Sequence, residues 1–184
     1  MRFAAHLAGM GLICAGLQAC TSAPPRISAK AEPPAARLAQ PSAVAPSDGL
    51  GRTEIGKASY YGRKFTGRTM ADGRRYTPKG VAAASKTLPL GTIAKVTNLD
   101  TDKSAIVRVE DRGPYVRGRI IDVSATIAEI LEMKDAGVAD VAVKPVAVPH
   151  PNGTVTLGAG AAELPPGTVA KAVLMTERLF PIFH

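Results

Sequence analysis

The side chains equipped for chemistry in this 184-residue sequence lie between Tyr60 and Asp122. Asp72 stands two residues before Arg74, so on an extended segment the two share a face. Glu110 and Asp111 are neighbours, and strand alternation points them to opposite faces. Asp122 precedes Ser124 at the end of an apolar run, a place where a carboxyl holds a strand-to-helix turn. Two readings stand for Asp111, which opens an Asp-Arg-Gly-Pro turn. It either takes part in proton transfer or accepts backbone N–H bonds. Tyr60, Tyr61, Phe65, Tyr76 and Tyr115 offer rings that can stack on a ligand, and the tyrosines add hydroxyls that hydrogen-bond it. Tyr61 and Tyr115 sit beside turns and are the better groove candidates, whereas Phe65 is expected in the core. Arg74, Lys86, Arg112 and Arg117 suit carboxylates or carbonyls of a partner. The histidines are His6, His150 and His184, all outside 55–148. With carboxylates scattered and no cysteine beyond residue 20, no metal-ligand set and no disulfide is expected. No cofactor is expected either.

These residues must be positioned by a domain that begins well into the chain. Residues 1–19 read as a secretory signal. Arg2 supplies the positive start, and Phe3 to Leu17 is apolar but for His6. That run is too short for a comfortable membrane span. It closes on Leu17-Gln18-Ala19-Cys20, the leucine, small residue and cysteine of lipoprotein processing. Cys14 is a poorer site because the bulky Ile13 precedes it. Cleavage would leave a lipidated Cys20 as an anchor in the bilayer. Thr21, standing where an aspartate would favour retention in the inner membrane, points to the outer membrane facing the periplasm. Residues 20–54 are rich in Ala, Pro and Ser and too poor in large apolar side chains to fold, so they read as a tether. Such a coil spans roughly 30 Å.

Residues 55–148 change character. They hold 16 Lys and Arg against 10 Asp and Glu, a charge that suits an anionic partner; export excludes nucleic acid and leaves wall polymer or anionic lipid. Strands are predicted at 57–61, 92–98, 104–110, 119–123 and about 139–148. The second and third form a hairpin across the Leu99-to-Asp102 turn. Ser124 caps a helix whose Ile127, Ile130 and Leu131 share one face, and which ends near Gly137. Short strands with a single helix point to a small closed barrel. Residues 149–184 are loop-rich, with one short element expected over 169–179 that docks on the domain.

The segment Val109-Glu-Asp-Arg-Gly-Pro-Tyr115, followed by Gly118-Arg-Ile-Ile-Asp-Val-Ser124, resembles the RlpA family of lipoproteins. Gly56-Lys-Ala-Ser-Tyr-Tyr-Gly62, Phe65-Thr-Gly67, Lys86-Thr-Leu-Pro-Leu90 and Val96-Thr-Asn-Leu99 match in the same order, across all of 55–148. The resemblance implies a mainly β fold, a six-stranded double-psi β-barrel with one or two short helices. It also implies endolytic lytic transglycosylase action on peptide-free peptidoglycan strands, leaving 1,6-anhydro ends. In that reaction the sugar's own hydroxyl attacks the anomeric carbon, and the protein protonates the leaving oxygen.

Two positions depart from the family pattern. Relatives carry glutamate where Arg74 stands in Ala71-Asp-Gly-Arg-Arg-Tyr76, and histidine where Ser85 stands in Ala83-Ala-Ser-Lys-Thr-Leu-Pro89. Of the three polar positions the family implies, Asp111 alone matches. A guanidinium cannot donate a proton near neutral pH, and beside Asp111 it would favour the carboxylate. Asp72 is then the first replacement acid, with Asp111 the other catalytic candidate. Tyr61, Arg74, Tyr76, Ser85, Lys86, Arg112 and Tyr115 are the expected substrate contacts. Three functions remain open: a transglycosylase with altered chemistry, a non-catalytic lipoprotein that binds glycan strands, or a basic lipoprotein module that binds another envelope protein through its barrel. The chain is expected to be a monomer. The 36 residues after Val148 are too few for the glycan-binding C-terminal domain that many members carry.

Overall fold

The computed structural model describes residues 50–177. The expectations for the signal segment, for Cys20 and for the tether up to Gly49 lie outside the described residues, as do residues 178–184.

Seven strands form one sheet. They are β1 (Glu54–Tyr60), β2 (Ala82–Ser85), β3 (Ile93–Asn98), β4 (Ser104–Asp111), β5 (Arg119–Val123), β6 (Val138–Pro149) and β7 (Val155–Leu157). Their order is β1-β5-β2-β4-β3-β6-β7, and β1 also pairs with β6, so the first six strands close into a barrel. The pairs β1–β5 and β2–β4 are parallel, and every other pair is antiparallel. This is the mainly β, six-stranded barrel that the sequence motifs imply, with β7 added to the flank of β6.

The barrel interior is lined by Ala83, Val96, Val107, Val109, Ile121, Val123, Val141 and Val143, all fully or nearly fully buried. Branched residues suit this lining because their stiff side chains pack on a pleated surface. β2 is the strand the periodicity misses. Its Ala82-Ala-Ala-Ser85 carries no β-branched or aromatic residue, yet all four positions are buried between β4 and β5.

Helix α1 (Ala125–Ile130) follows β5 directly. The Ser124 hydroxyl accepts from the Ile127 N–H and donates to the Gly80 carbonyl, so one side chain both caps the helix and ties it to the loop before β2. Ile127 and Leu131 are buried, but Ile130 is 47% exposed, so it leaves the buried face that the spacing predicts. The helix is only six residues long, and within it Ile127 and Ala128 are the buried residues.

The segment after β6 is more ordered than its loop-rich composition suggests. It contains β7, a 3₁₀ turn (Ala159–Glu163) and helix α2 (Pro166–Glu177). Ala172 and Val173 of α2 pack with Ile93, Val146 and Ala147 of the barrel wall. Gly158 permits the close approach, because a Cβ there would lie 2.4 Å from the Pro145 carbonyl oxygen. Gly158→Ala is therefore expected to destabilise the fold by about 1–3 kcal/mol, the usual cost of overpacking. Urea unfolding measures this, and an unchanged midpoint would show that the segment does not press on β6.

Candidate functional site

The site is built around the bulged end of β4. Ala83 pairs with Val109, but Ala84 pairs with Asp111, which makes Glu110 the extra residue of the strand. A bulge of this kind re-aims side chains. Alternation would send Glu110 and Asp111 to opposite faces. Instead both reach the same loop, which runs from Met70 to Arg75.

Asp111 holds that loop at Ala71. Its Oδ1 accepts the Ala71 N–H at 3.0 Å and the Arg112 N–H at 2.8 Å, and its Oδ2 accepts the Tyr61 hydroxyl at 3.0 Å. Burial pushes the Tyr61 phenol well up, and the Asp111 carboxylate adds in the same direction, so Tyr61 stays a protonated donor. The Tyr61 ring lies 4.6 Å from Tyr76 and 5.5 Å from Phe65, and these three rings join Met70, Ala82 and Ala84 in a small core of their own. That core seats the loop on the barrel rim.

Glu110 holds the same loop at Asp72 and Arg74. The Glu110 carbonyl accepts the Asp72 N–H at 3.0 Å. Its carboxylate Oε1 lies 3.1 Å from the Arg74 guanidinium and accepts Arg108 Nε at 2.6 Å. Among the described residues Oε2 takes no hydrogen bond. Burial pushes the Glu110 carboxyl up from its ordinary value; Arg74 opposes the shift and Asp72 reinforces it. Alternation in the sequence sets Glu110 apart from the other acids, because a bulge leaves no mark in a hydrophobic pattern.

Asp72 is not available as the replacement acid. Both its oxygens are committed to one neighbour, with Oδ1 accepting the Arg74 N–H at 2.9 Å and Oδ2 accepting Arg74 Nε at 2.8 Å and facing its other nitrogen at 2.7 Å. The tip of the turn, Gly73, adopts φ +84°, a conformation that brings residues 72 and 74 back to back. The guanidinium of Arg74 faces Asp72 and Glu110, while the donors on Asp111 are Tyr61 and two backbone N–H groups.

Three expected substrate contacts prove structural. Tyr76 is 2% exposed, and its hydroxyl accepts the Ala125 N–H at the start of α1, so its ring offers no free face. Ser85 is equally buried, and its Oγ accepts the Thr87 and Leu88 N–H groups of the following turn. Arg112 turns back to donate to the Ser85 and Leu88 carbonyls, at 3.1 and 2.6 Å. Tyr76 and Ser85 are buried and Arg112 is half-buried, and each has a hydrogen-bond partner inside the fold. Asp122 is structural too, accepting Ser59 across the β1–β5 pair at 2.6 Å and pairing with Arg119. Lys86 and Arg117 are exposed, and Tyr115 is 82% exposed at the turn after β4. The rim therefore brings together Tyr61, Asp72, Arg74, Glu110 and Asp111, with Tyr115 in solvent nearby in the chain. Among the described residues no group of three His, Cys, Asp or Glu side chains is placed to hold a metal ion.

The family model and the curated relatives point to one family. The family model described as lytic transglycolase matches residues 53–143. An endolytic peptidoglycan transglycosylase RlpA from Vibrio cholerae is 46% identical over 101 residues, 55% of this chain and 38% of that protein. The RlpA of Rickettsia bellii is 47% identical over 95 residues, 50% of this chain and 42% of that protein. The chain thus spans about two-fifths of the length of these curated relatives. Among solved structures, the Streptomyces papain inhibitor superposes with a TM-score of 0.42 at 24% identity, covering 52% of this chain and 96% of that one. Through residues 53–143, the barrel whose rim has just been described, this chain belongs to the RlpA-like family of lytic transglycolases.

Proposed function

We propose that this chain is an envelope lipoprotein, anchored at Cys20 in the outer membrane, whose barrel cleaves peptide-free peptidoglycan strands by lytic transglycosylation. The observation that carries the reading is the convergence of two carboxyls, Glu110 and Asp111, on one loop at the barrel rim. Relatives named as endolytic peptidoglycan transglycosylases support the reaction class.

In this reading the two carboxyls divide the work. Glu110, whose carboxyl burial pushes up and whose Oε2 is free of partners among the described residues, takes the general-acid role. As the glycosidic bond to the leaving oxygen breaks, Glu110 gives that oxygen its proton. The sugar's C6 hydroxyl closes on the anomeric carbon to form the 1,6-anhydro ring. Its proton passes to Asp111 Oδ2, and the Asp111 charge stabilises the oxocarbenium-like state. Tyr61 fixes the Asp111 carboxylate from the other side. No water enters the reaction, so no third group is needed to activate one.

A second reading, a binder of glycan strands without catalysis, is favoured by the Arg74 ion pairs. A guanidinium stands where relatives keep a carboxyl, and it is joined to both neighbouring acids. Incubation of the purified chain with peptide-free strands, followed by mass spectrometry, decides between the two. Anhydro-ended fragments are expected. Retention of strands without fragments would establish the binder, and neither result would end the glycan reading.

Three variants extend the test. Glu110→Gln is expected to lower the cleavage rate by about 10²- to 10⁴-fold, the usual worth of a general acid, with Asp111→Asn falling in the same range. A rate within twofold of the parent would remove that residue from the reaction. Folding is checked separately. Because the native Glu110 binds its proton more tightly than the unfolded chain does, native stability relative to the Gln variant declines as pH rises through the carboxylate range. Urea unfolding of both proteins between about pH 3 and pH 7 should show that sign; a difference that grows with pH would mean the carboxyl is stabilised as an anion. Finally, Cys20→Ala should move the protein from the membrane to the soluble fraction, since its own lipid is the proposed anchor. Continued membrane association would place the attachment elsewhere.

A further inference from the structure

A groove runs between α2 and the barrel wall, on the flank where β3 and β4 pair. It encloses about 420 Å³, and Val81, Ile93, Ile106, Leu164, Ala172 and Met175 give it an apolar lining. Helix and wall touch where Ala172 and Val173 meet Ile93. Beside that contact the groove stays open, with Val81 52% and Met175 43% exposed. Thr168, Lys171, Ala172 and Met175 recur at helical spacing, so one stripe of α2 lines the opening along its length. Apolar surface gathered in one concavity marks a place where another apolar group binds.

The sequence supplies an occupant at the edge of the groove. Helix α2 ends at Glu177, two residues beyond Met175. The chain then reads Arg178-Leu-Phe-Pro-Ile-Phe-His184, outside the described residues. Four of those seven side chains are large and apolar, and Phe180 and Phe183 are two of the four phenylalanines in the whole sequence. Such side chains gain most by leaving water. Pro181 lacks an N–H and disfavours a helical residue before it, so this sequence suits an extended path better than a longer α2. The length permits a return along the helix. Thr168 to Met175 covers roughly 10 Å of helix, and seven extended residues reach roughly 23 Å.

We propose that residues 178–184 turn back at the end of α2 and seat in this groove, with Phe180 and Phe183 as the anchoring side chains. A segment of the same chain is favoured over a second copy, a lipid or another protein because it is tethered at the mouth of the groove. Closing a short loop costs far less than bringing two molecules together. Seated there, the segment covers Val81 and Met175 and extends the apolar contact that holds α2 on the wall. Arg108 lines the same groove while its guanidinium meets Glu110, so the segment also covers the stem of a side chain that grips the rim acid. None of this depends on the glycan reading.

The test places photoreactive benzoylphenylalanine at position 180 of the full-length chain, irradiates it in the membranes of the cells that make it, and maps the adduct by mass spectrometry. The expected adduct joins residue 180 to Val81, Ile106 or the 164–175 segment of the same chain, at the gel mobility of a monomer. An adduct to a second copy, to lipid, to another protein or to any other surface of this chain overturns the proposal. If no adduct forms, fluorescence decides. The sequence has no tryptophan, so in Phe183→Trp the emission reports on that position alone. A blue shift relative to the urea-unfolded chain is expected at every protein concentration and without added vesicles. Val81→Asp combined with Met175→Asp should abolish it; both positions are exposed, and circular dichroism checks that the fold persists. Emission that matches the unfolded chain, or a blue shift that survives the double variant, overturns the proposal. So does a shift that grows with protein concentration, which assigns the groove to a second copy, or one that needs phospholipid vesicles, which assigns the segment to lipid.

Discussion

The rim of this barrel depends on a single irregularity, the bulge that inserts Glu110 into β4. Without it, neighbouring acids would face opposite sides of the wall. With it, their carboxyls and a backbone carbonyl all grip residues 71–74, from the Asp111 bond to Ala71 through the Glu110 carbonyl bond to Asp72. The loop has little regular structure of its own beyond one bridge between Thr69 and Arg75, so strand β4 sets its position. The aromatic cluster of Tyr61, Tyr76 and Phe65 then fills the space beneath it.

This arrangement changes how the cation at position 74 is understood. Family resemblance sets Arg74 beside Asp111 and makes it an antagonist of the remaining acid. In the fold its guanidinium neutralises Asp72 and meets Glu110, and Asp111 is left to Tyr61 and backbone donors. Glu110 meets both Arg74 and Arg108, and burial still pushes its carboxyl up from its ordinary value.

Around this rim the chain is organised by packing. The segment after β6 lays α2 on the barrel wall, with Gly158 admitting the close contact to Pro145. On another side, α1 is tied through Ser124 to Gly80 and through the Tyr76 hydroxyl to Ala125.

Much of the architecture was legible in the residues. The β-branched runs at 92–98, 104–110 and 119–123 became β3, β4 and β5, and Ser124 became the cap its position predicts. These are local signals, carried by side chains that favour a pleated surface or bond a nearby N–H. β2 was not legible, because Ala82–Ser85 has no strand propensity and is a strand through its neighbours alone. The site divides along the same line. Sequence determined which residue types are present: the acids, the tyrosines, the arginine at 74 and the serine at 85. Only the tertiary structure decided their partners. A one-residue register shift in β4 brought Glu110 into the site beside Arg74. Close packing turned Tyr76, Ser85 and Arg112 inward. Hydrogen-bond partners far apart in the chain are chosen by what the fold brings within 3 Å, and no local pattern records that distance.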